Sequence, residues 1–184
     1  MYEPRANMKG FTLIELTVAL GVMAMLAAML LPRVAQLQRS ARAGKLQGVR
    51  GSVVARVMLV HTAATLRNGQ RDMLACAGGG IADNQLTGPG TVCTDKGLVH
   101  TLDGYPASTP LGTPGIVSAA GVSAVFNPGE SQLKADGYLV HVSAGVTNFA
   151  RADAIDPAQC SFTYTQALDA QTAAAISVPA VSGC

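Results

Sequence analysis

One carboxylate, Glu15, sits in a stretch from Phe11 to Leu31 that holds no other charged residue. Such a stretch is long enough to cross a bilayer as a helix, for which ~20 apolar residues suffice. A carboxylate there is costly unless a cation meets it, so Glu15 marks a place where pairing is needed. The other reactive side chains give no comparable pattern. His61, His100 and His141 are isolated in the sequence. Gly78-Gly79-Gly80 lacks the Lys-Ser/Thr that completes a phosphate loop, and neither His-Glu-x-x-His nor Gly-x-Ser-x-Gly occurs. Asp153 and Asp156 lie near a proline turn without the spacing of a calcium loop. Met23, Met25 and Met29 serve as apolar filler rather than as metal ligands. An enzyme is not expected, and neither is a cofactor or a bound metal.

Charge divides the chain. From Arg33 to Arg71 there are eight basic residues and no acid; from Asp72 to Cys184 there are nine acids against Lys96, Lys134 and Arg151. The basic stretch reads either as a solvated helix face or as a surface met by acidic neighbours or by lipid phosphates near Arg33. No aromatic side chains interleave it, so specific nucleic-acid binding is not expected. Except for Phe11, the segment from Phe11 to Arg71 has no aromatic residue, which leaves no stacked-ring path for electron conduction.

Cys76, Cys93, Cys160 and Cys184 all lie in the acidic part. Their even number and the absence of zinc-ligand spacing point to two disulfides in an oxidising compartment. Nearest-neighbour pairing, Cys76–Cys93 and Cys160–Cys184, is chosen from the three connectivities. Each bridge is worth roughly 3 kcal/mol by loop entropy.

The elements that position these groups follow from periodicity. Pro32 interrupts the hydrogen-bond ladder of a long helix and predicts a kink or local melt. Beyond it, Leu46, Val49, Val53, Val57, Val60 and Ala64 recur at steps of three and four and form an apolar stripe. Ala41, Gly44, Gly48, Ser52 and Ala55 make a second stripe of small residues, suited either to a neighbouring helix or to packing within the same domain. Asn68-Gly69 reads as the helix stop. Residues 72–95 read as a loop. Strands are predicted near 96–102, 138–143, 146–150, 160–165 and 175–178, with a short helix after Thr113-Pro114 reaching about Phe126. The predicted class is α+β: a long N-terminal helix packed on a small antiparallel sheet.

The run Lys9-Gly10-Phe11-Thr12-Leu13-Ile14-Glu15-Leu16 resembles the processing site of type IV pilins and related pseudopilins. The resemblance implies that a prepilin peptidase removes residues 1–10 by cutting between Gly10 and Phe11, and that Phe11 becomes the N-methylated terminus. It also implies that Glu15 pairs with the Phe11 amine of a neighbouring subunit. The implied organisation is a leader (1–10), a membrane or filament-core half-helix (11–32), an amphipathic basic half-helix (33–70) and a disulfide-tied α+β head (71–184). The run Lys45 to Gly51, the turn Gly104-Tyr105-Pro106 and the ending from Cys160-Ser161-Phe162-Thr163-Tyr164 to Ser182-Gly183-Cys184 resemble the mannose-sensitive haemagglutinin group of type IV pilins. The implied product is a helical homo-oligomer built by pilus assembly machinery. Its subunit starts as a single-pass inner-membrane protein with a periplasmic head and ends in an extracellular pilus serving adhesion or motility. The alternatives are a type II secretion pseudopilin and a membrane-anchored periplasmic binding module. The positive-inside rule alone would place the basic segment after Pro32 in the cytoplasm; the processing site and the cysteines argue for the periplasm.

Overall fold

The structure is a computed structural model and describes residues 11–184. The leader and Gly10 lie outside the described residues. Helix α1 spans Leu13–Arg67 and is followed by β1 (Pro89–Cys93), β2 (Leu98–Leu102), β3 (Tyr105–Pro106), α2 (Ile116–Ala120) and α3 (Glu130–Ala135). Then come β4 (Tyr138–Ser143), β5 (Val146–Arg151), a 3-10 turn (Pro157–Gln159), β6 (Ser161–Thr165) and β7 (Ala175–Ile176). The chain divides into two compact units, one ending at Ser40 and one running from Ala41 to Cys184.

The architecture is the expected α+β one, a long apolar N-terminal helix followed by antiparallel strands as in type IV pilins. The strands form two sheets rather than one, ordered β1-β2-β3 and β4-β5-β6-β7. Every pairing joins sequence neighbours, as short turns dictate. β1 falls inside the segment expected to be a loop. Its Pro89 is the first residue of an edge strand, where no ladder hydrogen bond is lost. The predicted helix ending near Phe126 stops at Ala120, because Gly121 turns into the left-handed region at φ 66°. α3 was not predicted; it starts directly after the Pro128-Gly129 breaker. α1 remains helical through Pro32, so no local melt occurs there.

The predicted apolar stripe becomes the core face of α1. Leu46, Val53, Val57, Val60 and Ala64 are buried. Leu46, Val53 and Val57 join Phe149, Phe162 and Tyr164 of the larger sheet, together with Ile116, Leu133, Cys160 and Cys184. Val60 and Ala64 join Val92 and Val99 of the smaller sheet and Ala119. Burying each Val, Leu, Ile or Phe among them contributes on the order of 1.5–3 kcal/mol. The stacked rings of Phe149 and Phe162, 5.1 Å apart, form the centre of the larger cluster. Polar links join the sheet regions: the Tyr164 hydroxyl donates to the Pro106 carbonyl, Thr147 Oγ1 donates to Ser108 Oγ at 3.0 Å, and the Ser108 N–H donates to Gln166 Oε1 at 2.8 Å. Burial raises the Tyr164 pKa well above its ordinary value and keeps that hydroxyl a donor. The β1–β2 turn needs glycine at position 97. Its φ is +156°, and a Cβ there would clash with the Phe126 ring.

Candidate assembly site

Thr12-Leu13-Ile14-Glu15 opens α1 as a helix cap. The Glu15 backbone N–H donates to Thr12 Oγ1 at 3.3 Å, and the Leu16 N–H donates to the Thr12 carbonyl at 3.1 Å. This is the backbone half of a Ser/Thr-x-x-Glu capping box, a local role for Thr12 that periodicity did not reveal. The Glu15 side chain is exposed, and among the described residues no ion pair or hydrogen bond engages its carboxylate. Phe11 is 77% exposed, and apolar side chains from Leu13 to Leu31 are exposed along the helix. α1 is the one helix among the described residues long and apolar enough to cross a membrane. A segment this apolar requires lipid or other helices around it.

In the unit from Ala41 onward, α1 has a second uncharged face. Gly44, Gly48, Gly51, Ala55, Met58, Thr62 and Leu66 recur at steps of three and four, opposite the buried stripe, and all are exposed. Lys45, Arg50 and Arg56 fall on the flanks of this face. No atom lies within 4 Å of a Cβ placed on Gly44, Gly48 or Gly51. The predicted small-residue stripe from Ala41 to Ala55 is therefore open to solvent rather than packed inside the domain.

The basic side chains do something the sequence did not reveal: several clamp α1 to its own head. Arg42 donates to the Asp153 carbonyl at 2.8 Å, and Arg50 Nε donates to the Ser177 carbonyl at 2.7 Å. Arg56 meets Asp95 and Arg67 meets Asp72, each at 3.3 Å. Two of these recipients, the Asp153 and Ser177 carbonyls, are backbone groups that no charge pattern marks in advance.

Several of the remaining titratable groups are held structurally. His61 stacks on Tyr105 at 3.9 Å, with Nδ1 3.3 Å from the Gly104 carbonyl, while His100 and His141 are exposed on β2 and β4. Asp153 pairs with the buried Arg151 at 2.8 Å, and Arg151 lies 5.0 Å from the centre of the Tyr138 ring. The hydrogen bond from Arg151 lowers the Asp153 pKa against the opposing effect of burial. Asp156 caps the 3-10 turn by accepting from the Ala158 N–H. Disulfides join Cys76 to Cys93 and Cys160 to Cys184.

A family model described as the prokaryotic N-terminal methylation motif matches residues 5–31. The matched stretch covers the Gly10–Phe11 junction, Glu15 and the apolar start of α1. This supports a type IV pilin-like or pseudopilin-like role, processing by a prepilin peptidase, and anchoring in the membrane as a prepilin. The motif belongs to structural, pilin-type chains rather than to an enzyme family. No curated protein and no solved structure matches the chain.

Proposed function

We propose that the chain is the structural subunit of a type IV pilus of the mannose-sensitive haemagglutinin type, serving adhesion or motility at the cell surface. The carrying observation is the methylation motif over residues 5–31, set on the otherwise uncharged stretch from Phe11 to Leu31 whose single carboxylate, Glu15, has no partner among the described residues. Among the described residues nothing meets Glu15 or covers the apolar surface around it; a bundle of copies satisfies both. Residues 1–10 are cut off after Gly10, and the Phe11 amine is methylated. Each incoming subunit sets its Glu15 against the Phe11 amine of a neighbour, because each buried charge needs the other. The helix exchanges lipid for neighbouring helices, and the open glycine face from Gly44 to Gly51 lets one of them approach closely. The disulfide-tied residues 71–184 form the outer surface.

Replacing Gly10 by valine tests the first step. The variant should accumulate at precursor mass in the membrane fraction; mature protein from that variant would refute peptidase processing. A secretion pseudopilin would share this result but would remain in the cell envelope and never appear among filaments sheared from the surface.

A further inference from the structure

Beside α1, the unit from Ala41 to Cys184 contains a cavity of about 180 Å³. Leu59, Val60 and Ala63 of α1, Val92 of β1 and Ala119 of α2 line it with apolar groups, and Arg56 and Lys96 line it as well. An apolar cavity of roughly 150 Å³ takes a benzene-sized guest, so this one has room for one branched aliphatic side chain. Arg56 already meets Asp95, whereas Lys96 has no ion pair among the described residues.

The β6–β7 loop carries the complementary chemistry. Leu168 is 75% exposed, and every residue from Leu168 to Ala173 is exposed. The adjoining Asp169 accepts the Gln171 N–H at 3.0 Å and forms no ion pair among the described residues. Ile155-Asp156 is a second exposed apolar–acid pair. There, however, the Asp156 N–H is bonded to the Gly183 carbonyl and its side chain caps Ala158, which hold that segment against the C-terminal residues.

We propose that Leu168 of one copy enters the cavity beside α1 of a neighbouring copy, with Asp169 facing Lys96 and Arg56. The inference rests on the filament reading and names one contact within it. The two patches differ, so the contact is heterologous; repeated from copy to copy, it extends a filament instead of closing a dimer. The charges fix the register, and the leucine supplies the apolar burial.

The test uses the full chain in filaments sheared from cells. With Leu168→Cys and Ala63→Cys in the same chain, mild oxidation should give a ladder of linked multimers on a non-reducing gel. Neither single variant should give a ladder. Assembled filaments of the double variant without a ladder overturn the contact and leave the filament reading intact. If the cysteine variants do not assemble, charge exchange decides. Asp169→Lys should lower filament yield severalfold, and adding Lys96→Asp should restore it; an unchanged yield, or a loss without rescue, overturns the contact. Absence of filaments from the unaltered chain removes the filament reading itself, and this contact with it.

Discussion

Arg67 at the end of α1 donates to Oδ1 of the buried Asn84 at 3.2 Å. Asn84 Nδ2 in turn donates to the Gln70 carbonyl at 2.7 Å and to Asp72 Oδ1 at 2.8 Å. Arg67 also reaches Asp72 and, at 3.5 Å, the Cys93 carbonyl. The fully buried Asn84 amide therefore ties the helix end to the following loop, and Arg67 carries the network on to β1 through the Cys93 carbonyl. Both ends of its side chain are satisfied, which is what makes a buried polar group tolerable.

Asn84→Ala should destabilise the protein by about 1–3 kcal/mol, because it takes the amide donor from the Gln70 carbonyl and Asp72 Oδ1 and places alanine at φ 54°. Asn84→Gly should recover only the backbone part. Urea denaturation of the detergent-solubilised chain measures both. Equal stability for Asn84→Ala and the parent would mean that the network contributes nothing.

The two disulfides should differ in cost. Cys160 and Cys184 are buried in the larger core cluster and fix the chain end, whereas Cys76–Cys93 fastens an exposed loop. Each loop closure is worth roughly 3 kcal/mol. Removing the buried pair as Cys160→Ser with Cys184→Ser should cost more than that, since hydroxyls then enter the core. Removing Cys76–Cys93 as a double alanine variant should cost less. The same urea midpoints rank the two.

Acid should loosen the Arg151–Asp153 pair. The folded Asp153 pKa is lowered, so its contribution is present above the ordinary carboxylate value and is lost as pH falls through the folded value. The window lies below about pH 4. Asp153 is half exposed, so the ion pair itself is worth under about 1 kcal/mol. Asp153→Asn should flatten stability in that window. At neutral pH it should cost more than the pair is worth, because the buried Arg151 loses its counter-ion. A pH series of thermal midpoints reads both effects.

Glu15→Ala should be processed normally and assemble poorly. The cap on α1 uses the Glu15 backbone N–H and Thr12 Oγ1, both retained in the variant, so a loss of filaments would report the carboxylate rather than the helix start. Abundant filaments from cells carrying only this variant would refute the pairing of Glu15 with the Phe11 amine.

Local signals carried much of the fold. The stripe from Leu46 to Ala64 and the Asn68-Gly69 stop were legible because helical spacing and left-handed turns leave direct marks in sequence; Asn68 and Gly69 adopt φ 45° and 74°. β2, β4, β5 and β6 were legible from runs of β-branched and aromatic residues. β1 was not, because Gly88-Pro89-Gly90 has the chemistry of a turn and becomes a strand only by pairing with Leu98–Leu102. α3 escaped because six residues after a Pro-Gly breaker show too little periodicity. The Asn84 network and the arginine clamps rest on contacts between residues distant in sequence and on backbone carbonyls, which no local pattern encodes.

The most direct test is the intact mass of the protein in filaments sheared from the cell surface. A subunit running from Phe11 to Cys184, heavier by one methyl group and lighter by four hydrogens for the two disulfides, is the predicted result. A chain that still carries residues 1–10, or mature protein confined to the membrane fraction, would contradict the pilus account.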